Sequence, residues 1–176
     1  MRDHFCEANR RLRRIYIYNG RCYELFATLA NVRNDADITP ISNPKGLPVD
    51  ASDYVKERAK SWGHDGHSHS WLTAKELFIH KNKFPFTKCS ALISPKDQEK
   101  LDKYGIPPSD YYPETDQKGW DIREWFYPYS ALDPLIEVIK QRLCEEFRLY
   151  YYEADEKEEK IWDSSENFRI VFWFDN

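Results

Sequence analysis

Residues 168–174 read FRIVFWF, a run in which both alternating sets of side chains are mostly apolar. Side chains alternate between the two faces of a strand, so this run predicts a strand that is covered on both faces or packed centrally in a sheet. A second strand is predicted at residues 15–18, IYIY, because the Asn19-Gly20 pair behind it is a strong turn signal. The fold therefore contains a small sheet.

Most of the remaining chain shows helical periodicity. Helices are predicted at residues 23–32, 50–62, from Thr73 onward, 94–104 and 130–147. The connection at residues 64–70 is polar, and residues 149–152 favour a further strand. Because helices and strands do not alternate regularly, the pattern is typical of the α+β class. We predict a single compact domain over residues 1–176, with several helices packed on a small, mostly antiparallel sheet and an irregular aromatic-rich excursion at about residues 105–129.

Composition excludes several classes of protein. A chain of 176 residues with 41% hydrophobic and 16% aromatic side chains can build a core, unlike a disordered segment. Its 26 Lys and Arg against 30 Asp and Glu give a net charge of −4, whereas a duplex-DNA binder usually carries a basic excess. No apolar run approaches the length of a membrane helix and no secretory leader stands out, so we expect a soluble, unsecreted protein with no membrane partner. The 4 cysteines form no Cys-x-x-Cys pair, which argues against a structural zinc knuckle.

The outstanding candidate site is HDGHSHS, residues 64–70, which holds three of the 5 histidines. If this segment is extended, His67 and His69 project to the same side. The two imidazoles are then candidates for acid–base catalysis, because histidine titrates near neutral pH. As an alternative, zinc or another divalent metal could be held by His64, Asp65, His67 and His69. The plain structural interpretation is that these side chains cap the helix that follows Thr73.

The same segment also suits an anion. Gly66, hydroxyl groups and the amides before a helix start can form a cradle for phosphate. Arg33 offers a bidentate guanidinium, although a cation at a helix C-terminus also has a purely structural role. The predicted ligand-binding residues are Arg21, Arg33, Asn34, His64, His67, Ser68, His69, Ser70 and Trp71.

The aromatic surplus of residues 104–129 has two functional interpretations. Its rings could stack on a nucleobase, or they could form a surface that binds a host protein. Ordinary packing of an irregular segment against the core is the alternative. The P-loop, the dinucleotide-binding glycine motif and the nucleophile elbow are all missing, which favours a binding protein over an enzyme.

Four segments of the sequence resemble a family of small uncharacterised bacteriophage proteins. They are RCYELFATLANVRN (residues 21–34), GLP (46–48), DGHSHSWLT (65–73) with Glu76 and Leu77, and RIVFWFDN (169–176). The resemblance implies a phage or prophage product that acts in the cytoplasm of an infected bacterium. Small accessory phage proteins of this kind often resemble counter-defence factors, some of which sequester or degrade nucleotide signals of host immunity.

The leading hypothesis is a non-enzymatic protein that binds and sequesters a small phosphorylated ligand, such as a cyclic nucleotide or an ADP-ribose derivative, with no cofactor. One alternative is a hydrolase of a nucleotide or phosphodiester, with zinc or another divalent metal at the His64–His69 cluster. Another is an inhibitor of a host protein. A homo-oligomer built on the strand at residues 168–174 is also considered.

Overall fold

A computed structural model describes the backbone of residues 5–7 and the whole of residues 22–175. In chain order its main elements are β1 (Phe5–Glu7), α1 (Tyr23–Ala30), α2 (Asp53–Ser61), β2 (His67–Thr73), α3 (Ala74–Lys83), β3 (Lys88–Ile93), α4 (Pro95–Tyr104), β4 (Tyr111–Tyr112), β5 (Asp121–Phe126), α5 (Asp133–Glu146), α6 (Ala154–Ser164) and β6 (Arg169–Phe174). The predicted strand at residues 15–18 and the predicted ligand residue Arg21 lie outside the described residues.

The contacts divide the chain into two compact units. Unit 1 contains β1, residues 44–82 and residues 132–175, and unit 2 contains residues 22–43 and 83–131. Each unit has its own three-stranded antiparallel sheet, so the α+β class and the antiparallel pairing are confirmed. That both units form one domain stays a prediction.

The sheet of unit 1 has the order β1-β6-β2, with β6 at its centre. The side chains from Ile170 to Phe174 are all at most 1% exposed, which confirms a strand covered on both faces. Val171 and Trp173 pack against Val55 and Ala59 of α2 on one of those faces. Residues 169–171 pair with β1 on one side and β2 on the other, so this part of β6 has no open edge for a second copy. The homo-oligomer considered for the strand at residues 168–174 stays a prediction.

Unit 2 is built around α1 and a sheet of order β4-β3-β5. Residues 25–30 of α1 are all buried, as the apolar helical pattern predicts. Ala27 packs with Cys89 and Ile93 of β3 and with Trp125 of β5 in one apolar cluster. The segment predicted to be irregular thus contributes two strands, β4 and β5, and Trp125 of β5 belongs to this cluster.

Several local predictions are confirmed and others are wrong. The helix predicted from Thr73 onward is confirmed as α3, and it starts with a capping box in which Glu76 N donates to Thr73 Oγ1 and Thr73 N donates to Glu76 Oε2. Residues 149–152 do not form a strand, since a 3₁₀ turn occupies Leu149–Tyr151. The helix predicted at residues 130–147 is present as α5, which starts later than predicted, with Leu132 as its N-cap. Within the described ranges, no helix combines the length and the apolar character that crossing a membrane requires.

Candidate functional site

Residues 67–70 of the histidine-rich segment belong to strand β2, which contains a bulge. His67 pairs with Phe174 and Ser70 pairs with Phe172, so β2 uses one more residue than β6 over this stretch. The bulge includes Ser68, whose backbone adopts the left-handed conformation, at φ 52°. Its hydroxyl lies 2.9 Å from Nδ1 of His67.

The bulge places the two imidazoles on opposite faces of the sheet. The ring of His67 lies 6.3 Å from that of Phe174, whereas the ring of His69 lies 5.5 Å from that of Trp173. Phe174 and Trp173 are adjacent on β6 and therefore project in opposite directions. The expectation that both histidines share one side is wrong, because it assumed an unbroken alternation.

Both imidazoles are held in an apolar setting. Their Nε2 atoms are buried and have no hydrogen-bond partner in the described part of the chain. Burial lowers the pKa of His69, and the neighbouring His67 lowers it further. His69 is therefore neutral at neutral pH.

The proposed metal ligands do not form a cluster. His64 and Asp65 are exposed residues that precede the strand. Among residues 22–175, no three His, Cys, Asp or Glu side chains come together in a way that could hold a metal ion. The metal alternative, with His64, Asp65, His67 and His69, stays a prediction.

Gly66 has a packing role of its own. A Cβ atom at this position would lie 2.7 Å from Cβ of Trp62, at the end of α2. Such a distance is a hard overlap, so only glycine lets β2 begin directly beside this residue. The phosphate cradle predicted around Gly66 is therefore not needed to explain the glycine.

Two cations lie beside the ring of Trp71, which is half-buried. Nζ of Lys45 is 4.5 Å and Cζ of Arg169 is 5.8 Å from the ring centroid. Trp71 pairs with Val171 in the sheet, and Arg169 lies two residues before Val171 on the same strand. The side chains of Trp71 and Arg169 therefore project from the same face of the sheet, which is also the face of His69. We call Lys45, His69, Trp71 and Arg169 the Trp71 site.

Each cation of the Trp71 site holds a carboxylate at the surface. Lys45 Nζ lies 3.0 Å from Glu76 Oε1, and an Arg169 nitrogen lies 2.8 Å from Asp50 Oδ1. The guanidinium of Arg169 lowers the pKa of Asp50. The Asp50 side chain is 76% exposed, so it is a weakly held partner that a stronger anion can replace.

Short contacts bring the segment before α2 to the edge of β2. Gly46 N donates to the carbonyl of His69 at 2.8 Å, and Lys45 N donates to Oγ of Ser70 at 3.2 Å. Ser70 is fully buried, which makes it a structural partner of this segment and not an open ligand residue. Lys45 thereby reaches Trp71 although the two are far apart in sequence.

Arg33 and Asn34 belong to unit 2, and both make contacts inside that unit. The Asn34 amide accepts from Ile38 N and donates to the Ile38 carbonyl and to Asn31, each at 2.8 Å. Arg33 donates to the hydroxyl of Tyr23 at 3.2 Å and lies 5.3 Å from its ring. Asn34 therefore organises the loop after α1, and its role toward a ligand stays a prediction.

Unit 2 contains a polar cluster that the sequence patterns did not reveal. Oε1 of Glu24 accepts from the hydroxyls of Tyr111 at 3.3 Å and Tyr127 at 3.4 Å, and Oε2 accepts from Sγ of Cys22 at 3.4 Å. Burial, followed by the charge of Glu24, raises the pKa of Tyr127 to about 12 and that of Tyr111 still further. A lone acid in the first turn of an apolar helix was the one available signal.

Part of the aromatic segment is exposed. The most exposed of its large apolar side chains are Tyr104, Phe126 and Tyr129, at 63%, 60% and 52%. Trp125, by contrast, is 2% exposed and belongs to the core of unit 2. A surface for a host protein stays a prediction.

Comparison with known proteins yields no match to a protein-family model, a curated protein or a solved structure. The resemblance to phage proteins stays a prediction. Three of the four segments that carry it do meet within unit 1, through the Gly46–His69 hydrogen bond and the Arg169–Trp71 contact.

Proposed function

We propose that the protein binds and sequesters a small phosphorylated or nucleotide-type ligand, and that the Trp71 site holds it. The observation that supports this proposal is the pairing of two cations with a half-buried indole on one face of the sheet. Phosphate and an aromatic base are two of the three parts of a nucleotide. Cations recognise the phosphate, and an indole recognises the base by stacking.

The cations suit a phosphate for a physical reason. A guanidinium binds two phosphate oxygens through its planar fork, and an ammonium adds a compact charge. A phosphodiester or pyrophosphate, whose two free oxygens match the guanidinium fork, competes well for Arg169 with Asp50, whose side chain is mostly in water. The exposed part of Trp71 offers a surface on which a base can stack.

A binding role is also in keeping with two of the described thiols, those of Cys22 and Cys89. Burial raises the pKa of Cys22 to about 11 and that of Cys89 to about 12. Neither thiol supplies a thiolate near neutral pH, so neither is a ready nucleophile.

The proposed biological setting is an infected bacterium, as the resemblance to phage proteins implies. A phage or prophage product in the cytoplasm of an infected bacterium would meet the nucleotide signals of host immunity. Sequestering a cyclic nucleotide or an ADP-ribose derivative would then be a counter-defence activity that needs no cofactor, no membrane and no duplex nucleic acid.

The test is the melting temperature of the full chain against cyclic dinucleotides, cyclic trinucleotides and ADP-ribose, followed by titration calorimetry of any ligand that raises it. Arg169→Gln is expected to weaken binding about tenfold or more, because it removes a charge-assisted hydrogen bond. Asp50→Asn is expected to tighten binding, because it removes the competing carboxylate. Arg142→Gln, which disrupts an ion pair with Glu145 on α5, is the matched control.

Two results would overturn the proposal. One is a panel in which no member changes the melting temperature. The other is an Arg169→Gln protein that binds as well as the Arg142→Gln control. A purely structural Arg169–Asp50 pair predicts that Asp50→Asn lowers stability without any gain in affinity.

A further inference from the structure

Unit 1 contains a cavity that shares no residue with the Trp71 site. It lies between α3, α5 and α6 and has a volume of about 300 Å³. Its apolar lining comes from Phe78, Ile136, Ile161 and Trp162. A volume of this size is at the lower end of the range of small-molecule sites, so it suits a ligand of one ring or a short aliphatic chain.

The charged groups at this cavity do not balance. Lys81 pairs with Asp133 at 2.6 Å, and Lys140 pairs with Glu158 at 2.9 Å. Glu137 also lines the cavity, and its carboxylate has no ion pair or hydrogen bond among residues 22–175. The lining contains two lysines and three acids, so its net charge is −1. The excess negative charge is that of Glu137.

The aromatic part of the lining also favours a cation. The ring of Trp162 already has Nζ of Lys75 at 5.4 Å from its centroid. The face of an indole attracts ammonium groups electrostatically. Both lysines that line the cavity are neutralised by their own acids, so neither is open to an anionic ligand without breaking an ion pair.

We propose that this cavity binds a small organic cation, an ammonium group carried on an apolar body of about one ring. The ammonium pairs with Glu137 and faces Trp162, and the apolar body packs on Phe78, Ile136 and Ile161. This ligand is a cation, whereas the ligand proposed for the Trp71 site is an anion. Failure of either binding test therefore leaves the other proposal intact.

The experiment uses three probes of one shape: 2-phenylethylamine, 2-phenylethanol and phenylacetate. Their binding to the full chain is measured by titration calorimetry and by ligand-observed NMR. We expect the amine to bind about tenfold more tightly than the alcohol, which corresponds to one partly exposed charge contact, and the acid to bind more weakly than either.

Two variants assign the binding to the cavity. Glu137→Gln is expected to reduce the affinity for the amine to that for the alcohol, whereas Glu146→Gln, at the exposed end of the same helix, is expected to leave it unchanged. Asn82→Phe places a ring at the cavity mouth from an exposed position and is expected to abolish binding of all probes. Equal binding of amine and acid, amine binding that survives Asn82→Phe, or no binding of the amine would overturn the proposal.

Discussion

His69 carries an imidazole whose pKa depends on the folded state. Burial lowers this pKa below the ordinary value of 6.5, so the unfolded chain takes up the proton more readily. The stability that the neutral ring contributes is therefore fully present above pH 6.5 and is lost as the pH falls through the lower, folded-state pKa.

His69→Phe removes this dependence. The melting temperature of the natural protein is expected to fall between about pH 7.5 and about pH 5.5, and that of the variant is expected to fall less. Phenylalanine fits the contact with Trp173, because Nε2 of His69 has no partner among the described residues to lose. Exposed His64, changed to Gln, is the control and should keep the slope of the natural protein. An unchanged slope in His69→Phe would contradict this account.

Glu24 is the acceptor on which two phenols and a thiol converge. Its replacement by Ala leaves the hydroxyls of Tyr111 and Tyr127 without their acceptor, and we expect a loss of about 1–3 kcal/mol in the free energy of unfolding. Denaturant titration measures it. Glu99→Ala removes an exposed acid of α4 in the same unit and should cost much less. Equal losses in the two variants would rule out a structural role for the cluster.

At the scale of elements, the junction of α2 and β2 depends on Gly66. Adding a Cβ atom there produces an overlap with Trp62, so Gly66→Ala is expected to lower the free energy of unfolding by about 1–3 kcal/mol. Lys60→Ala, an exposed change in the last turn of α2, serves as the control. A Gly66→Ala protein as stable as the control would mean that the junction moves apart at little cost.

Elements with local signals were predictable from the sequence. Helix α4 matches the prediction at residues 94–104: its N-cap Ser94 accepts from Asp97 N at 3.1 Å, and it ends at Gly105, whose φ is 65°. Strand β2 was not predictable, because its pairing partner β6 lies far along the chain and the bulge at Ser68 breaks its alternation.

The candidate site shows the same division. His69 and Trp71 were predicted because they stand in one conspicuous segment. Lys45 and Arg169 were not, because their approach to Trp71 depends on tertiary pairing that no local pattern records. Arg33 was predicted as a ligand residue because it follows an apolar helix. In the structure its guanidinium donates to the hydroxyl of Tyr23 in that same helix.

At the scale of the whole molecule, the chain passes repeatedly between its two units, so neither unit is one continuous segment. If the single domain predicted from the sequence is correct, Glu24→Ala in unit 2 and Gly66→Ala in unit 1 lower one common unfolding transition. Far-UV circular dichroism and tryptophan fluorescence, followed together through denaturant, measure this. A variant that separates the two signals into two transitions would contradict the prediction.

Because β6 is both the central strand of its sheet and the last strand of the chain, the sheet of unit 1 forms only at the end of synthesis. Strands β1 and β2 leave the ribosome long before residues 169–174, and until then neither has its partner in the sheet. A nascent chain at that stage exposes the apolar side chain of Leu72, which is buried in the folded protein, and an unpaired strand edge. Chaperones bind such surfaces, and the same surfaces promote aggregation. Translation that stops before residue 169 therefore yields an aggregation-prone chain in place of a shorter folded protein.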